Sequence, residues 1–143
     1  YSDEAVWSAL YTDLQRFTGL QAKFEWKEVP VLALVARPGA AEKLKTKGGK
    51  PGDKISGSMH GDAAGFAFDN FPFSALYNRI IHYWPEHLPI YNETGIKSNI
   101  DIVFDALMVD SAQVLRELNR NGLDLVRKER RMKVLVIRPI SAN

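Results

Sequence analysis

Hydrophobic positions change their period several times along the chain, and each change marks an element. Val6, Leu10, Leu14 and Phe17 recur at helical spacing and predict a first helix. Ser2 is a good N-cap for it, Asp3 and Glu4 suit the positive end of its dipole, and Gly19 supplies a left-handed stop. From Gln21 to Lys27 the pattern becomes strict alternation, with Ala22, Phe24 and Trp26 on one face, which predicts a half-buried strand. Val29 to Ala36 is continuously apolar, as expected of a central strand covered on both faces, and Pro30 is expected at its start because proline cannot donate to a ladder.

Pro38 to Gly61 reads as a loop, since Lys43, Lys45, Lys47, Lys50 and Lys54 are scattered among glycines and Pro51. It lacks the Walker spacing of a phosphate loop. Gly65 to Phe68 predicts a short strand. Phe73, Leu76, Tyr77, Ile80 and Ile81 predict a second helix, capped by Asn70 or Ser74 and ending before Pro85. Pro89 to Tyr91 reads as extended, followed by turn chemistry from Asn92 to Gly95. Ile100, Ile102 and Phe104 alternate with Asp101, Val103 and Asp105 in a strand with one buried face. Asp110 caps a third helix, with Gln113 at the capping-box position and Val114, Leu115 and Leu118 on its apolar stripe.

A helix, a Gly-Leu step, an alternating segment and an apolar strand ending in Arg-Pro occur twice, about a hundred residues apart. One copy runs from Leu14 to Pro38, the other from Leu115 to Pro139. Each is read as a helix–hairpin unit, the second turning through Arg127 to Arg131. The expected fold is therefore α+β, three helices on a mostly antiparallel sheet, in a single domain over 1–143.

Composition narrows the function classes. The 143 residues are 45% apolar, carry a net charge of +2 and include no cysteine. That charge is too small to imply a nucleic acid, no apolar run reaches the ~20 residues of a membrane helix, and thiol chemistry is excluded. Basic residues Arg127, Lys128, Arg130 and Arg131 are read as solvated charge at a hairpin tip without interleaved aromatics, so no nucleic-acid partner is expected. The chain opens on Tyr1 rather than Met, as expected of a processed or excised piece.

Candidate chemistry is sparse. His60, His82 and His87 lack zinc-site spacing, and no metal or other cofactor is expected. Ser56, Ser58 and Ser74 lack the context of a nucleophile elbow. Glu86, His87, Glu93 and Asp101 supply acid–base candidates without diagnostic spacing, so a small hydrolase using a Glu/His site near 86–93 stands as the alternative reading. The densest aromatic cluster makes Tyr83, Trp84, His87, Tyr91 and Glu93 the candidate binding residues for a protein or small-molecule ligand. The competing expectation, and the preferred one, is that Trp84 and Tyr91 close the core.

Asn121-Gly122-Leu123-Asp124-Leu125, followed by Lys133 to Ile137 and the ending Pro139-Ile140-Ser141-Ala142-Asn143, resembles the closing signature of a bacterial family. This is the soil-associated family of uncharacterised proteins, classed as a domain of unknown function. Pro89 to Ile96, with Thr94-Gly95, is similar to the family's middle section, and Arg16-Phe17 with Val29 to Val35 to its first half. Departures are Ile96 in place of Leu, an extra residue before Thr94 and another before Ser141. The resemblance transfers no catalytic residue. It implies a periplasmic or otherwise extracytoplasmic setting, sometimes behind a thioredoxin-like or sensor-peptidase module. Together these readings lead to a non-enzymatic binding or protein-interaction domain.

Overall fold

A computed structural model describes residues 2–55 and 64–140, with the side chains of Ile55 and Ala64 left aside. His60, Ser56, Ser58, Ser141 and Asn143 lie outside the described residues. In chain order the elements are α1 (Asp3–Thr18), β1 (Leu20–Ala36), α2 (Ala40–Leu44), β2 (Gly52–Ile55), β3 (Ala64–Pro72), α3 (Phe73–Tyr83), β4 (Ile90–Asn92), β5 (Asn99–Leu107), α4 (Ser111–Arg120) and β6 (Leu123–Pro139). The fold is α+β, with two three-stranded sheets ordered β4-β1-β6 and β2-β3-β5. The chain divides into two compact units, residues 1–29 with 129–143 and residues 30–128, described here in turn.

Both predicted hairpins are corrected. Each is a single 17-residue strand, β1 and β6. The charged stretches around Lys27 and Arg127 to Arg131 contain no glycine, proline or asparagine to reverse the chain, so the strands run on. β1 pairs instead with β6, antiparallel: Arg37 N–H donates to the Gly122 carbonyl, and Ile140 N–H donates to the Gly19 carbonyl. Gly19 and Gly122 do take the left-handed conformation predicted for helix stops. The two helices differ, however: α4 buries Val114, Glu117 and Leu118, whereas α1 buries nothing.

The larger unit holds the core. Leu34, Leu44, Leu76, Phe104 and Leu118 bring β1, α2, α3, β5 and α4 into one apolar cluster. Val31 to Leu34 are buried on both faces of β1, as their continuous apolar run requires. Leu32 N–H donates to the Pro89 carbonyl, so alternate nitrogens of β1 face β4, and Pro30 falls just before β4 begins. That is how proline sits inside a long strand without losing a ladder bond. β4 pairs with β1 in parallel, Leu32 opposite Ile90, the exception in a largely antiparallel fold. In the second sheet Phe66 stacks on Phe104 with centroids 5.1 Å apart. Arg79 lies over the Phe66 and Phe68 rings and holds Asp53 at 2.8 Å.

Two local readings need correction. The 38–61 segment is not all loop, because α2 and β2 lie within it, and Ala40 and Leu44 are buried one helical turn apart. α3 starts from Pro72 without a side-chain cap, since Asn70 is committed elsewhere. At α4 the cap is as read: Asp110 accepts from Ala112 N–H and Gln113 N–H, and the Gln113 side chain donates back at 2.9 Å.

Candidate functional site

The 83–93 segment lies in the larger unit, and the structure uses it mainly to join elements. Tyr83, Trp84 and Leu88 pack against the core cluster from the end of α3 and the turn beyond it. Trp84 Nε1 is buried without a hydrogen-bond partner. Tyr77 Oη donates to the Ile90 carbonyl at 2.6 Å, fastening α3 to β4. Tyr91 is half-buried on β4 opposite Ala33, and His87 is exposed. Glu86 pairs with Arg127 at 3.2 Å, and Glu93 with Lys128 at 2.6 Å. Consecutive strand residues point to opposite faces, so these two pairs grip β6 from both sides. Glu86 and Glu93 are thus each engaged by a cation, and His87 belongs to neither pair.

Asp101 is a hydrogen-bonding knot in the same unit. Its carboxylate accepts from the Asn70 N–H at 2.8 Å, the Thr46 hydroxyl at 2.7 Å and the Lys47 N–H at 2.8 Å. Asn70 carries the only positive φ of a described non-glycine residue, and its amide donates to the Gly49 carbonyl. The backbone N–H of Asn70, foremost, and those of Lys47 and the Thr46 hydroxyl hold the Asp101 carboxyl below its ordinary pKa. Glu117, a buried carboxylate on α4, is likewise tied to the Asp105 N–H and to Arg120. Among the described residues no three His, Asp or Glu side chains gather to hold a metal.

A concave surface that the sequence did not single out lies in the smaller unit. It is a groove of about 530 Å³ lined by Glu4, Trp7, Ser8, Tyr11, Phe24 and Lys133. Glu4, Trp7, Ser8 and Tyr11 recur at three- and four-residue steps, so they share one face of α1. Tyr11 stacks on Trp7 with centroids 6.0 Å apart and meets Phe24 edge-on at 5.6 Å. Its hydroxyl is buried with no hydrogen-bond partner. Lys133 Nζ stands 5.1 Å from the Phe24 ring centroid, and Arg131 stands 5.6 Å from that of Trp26. The basic stretch read as a hairpin tip is thus mid-strand, and the neighbouring strand supplies the aromatics it lacks in sequence.

Exposure sets this unit apart. Val6, Leu10 and Phe17, the expected buried stripe of α1, are exposed, Phe17 to 78%. Trp7 is 48% exposed, Phe24 44% and Trp26 61%. The strand read as half-buried is corrected: Phe24 and Trp26 share a face, but that face is exposed, and nothing local signals that α1 and β6 would frame it. Among the described residues no helix is long and apolar enough to cross a membrane. Comparison with known proteins returns no matching family model, no matching curated protein and no matching solved structure.

Proposed function

We propose that this chain is a non-enzymatic binding domain whose contact element is the smaller unit. The observation that carries the reading is the groove at α1, lined by the rings of Trp7, Tyr11 and Phe24 with Glu4 and Lys133 beside them. Exposed rigid aromatics add contact area at little entropic expense. Resemblance of the closing residues to the exported soil-associated family supports an extracytoplasmic setting.

Protein-detected NMR tests the reading, with a small-molecule fragment mixture and a mixed peptide digest as probes. The expected result is that shift changes gather at residues 4–11, 24–26 and 131–133. Changes confined to 83–93, or no saturable change with either probe, would overturn it.

A further inference from the structure

Beside the groove, the same strand face extends the aromatic surface. Phe24 and Trp26 are two residues apart on β1, hence about 7 Å along one face. With Trp7 and Tyr11 they make a row longer than a single ring. Its polar border is mixed in sign. Arg131 stands over the Trp26 ring and Lys133 over the Phe24 ring, while Glu4 lines the groove. By strand alternation Glu28 shares the face of Phe24 and Trp26, and Glu129 that of Arg131 and Lys133.

Resting on the binding reading above, we propose that this row takes an uncharged saccharide chain. A sugar ring offers a flat C–H face to an aromatic ring and hydroxyls around its edge. Each hydroxyl both donates and accepts, so one ligand can answer Lys133 and Arg131 as acceptor and Glu4 as donor. A single-stranded nucleic acid would stack equally well, but its phosphates would meet carboxylates as well as cations, unlike the basic groove such ligands require. The length of the row favours a chain over a single sugar.

The test uses the intact chain with cellohexaose and chitohexaose, read by tryptophan fluorescence and calorimetry, with an oligothymidine strand alongside. At least one oligosaccharide is expected to bind saturably and without strong salt dependence. Trp26→Ala and Trp7→Ala should each weaken it about tenfold or more. Val103→Thr, an exposed change in the larger unit, should leave it as it was, and circular dichroism checks that each variant is folded. Binding of neither sugar, binding unmoved by both tryptophan changes, or salt-sensitive binding of the oligothymidine alone would overturn the proposal. If the sugars fail while the NMR probes still gather at the groove, the ligand class falls and the binding reading stands.

Discussion

The backbone N–H of Asn70 donates to Asp101 Oδ1 at 2.8 Å, across two strands and from a left-handed backbone conformation. Lys47 adds its charge, but hydrogen-bond donors dominate the surroundings of Asp101. It gathers N–H and O–H donors from Thr46, Lys47 and Asn70, and so fixes the 46–49 segment against β3 and β5. Its pKa is lowered in the folded state, which gives the pH dependence a sign. The contribution is fully present above the unfolded-state value and is lost as the pH falls through the folded one. Asp101→Asn should therefore lower the unfolding midpoint at neutral pH, with the gap to the parent closing as acid protonates the carboxyl. Faster amide exchange at Lys47 and Asn70 in the variant would locate the effect. A gap that widens in acid would contradict it.

Two leucines on two helices should behave oppositely. Leu118 on α4 is 0% exposed, and Leu118→Ala should cost roughly 2–5 kcal/mol. Leu10 on α1 is exposed, and Leu10→Ala should stay within about 0.5 kcal/mol. Urea unfolding measures both. The same contrast predicts faster hydrogen exchange along α1 than along α4, because few buried contacts hold α1 closed.

That contrast also marks how far the sequence could be read. β5 was legible because its faces differ, Ile100, Ile102 and Phe104 inward and Val103 outward. The Asp110 cap was legible because the hydrogen bonds that make it are local. The apolar stripe of α1 was equally clear, yet periodicity reports which residues share a face and not what that face meets. The groove needs Tyr11, Phe24 and Lys133 together, from three separate stretches of chain. A charged run such as Arg127 to Arg131 suits a turn or an open strand edge alike, and only the long-range pairing of β6 with β1 decides between them.

Gly122 and Gly19 separate backbone strain from collision. Both have positive φ, so alanine at either position is strained by about 1–2 kcal/mol. A Cβ at Gly19 would meet nothing within 4 Å, whereas one at Gly122 would come within 2.9 Å of the Ala40 Cβ. Gly122→Ala should thus be clearly the more destabilising. Gly122→Ala combined with Ala40→Gly should recover part of the difference, which denaturant midpoints would read. Equal costs at the two glycines would mean that α2 yields freely.

Trp84 presents a polar atom that the core does not serve. Its side chain packs against the cluster while Nε1 stays buried and unpaired. Removing the whole ring should be costly, about 3 kcal/mol or more for Trp84→Ala, because the neighbouring apolar groups lose their contacts. Trp84→Phe keeps much of that volume and deletes the orphan N–H, so its smaller packing loss is offset by desolvation no longer spent on an unmade hydrogen bond. The expected order of stability places Trp84→Phe within about 1 kcal/mol of the parent and well above Trp84→Ala. Thermal or urea unfolding gives that order directly. Should both variants unfold like the parent, Trp84 would be a surface residue, and the 83–93 segment would return as the contact surface in place of the groove.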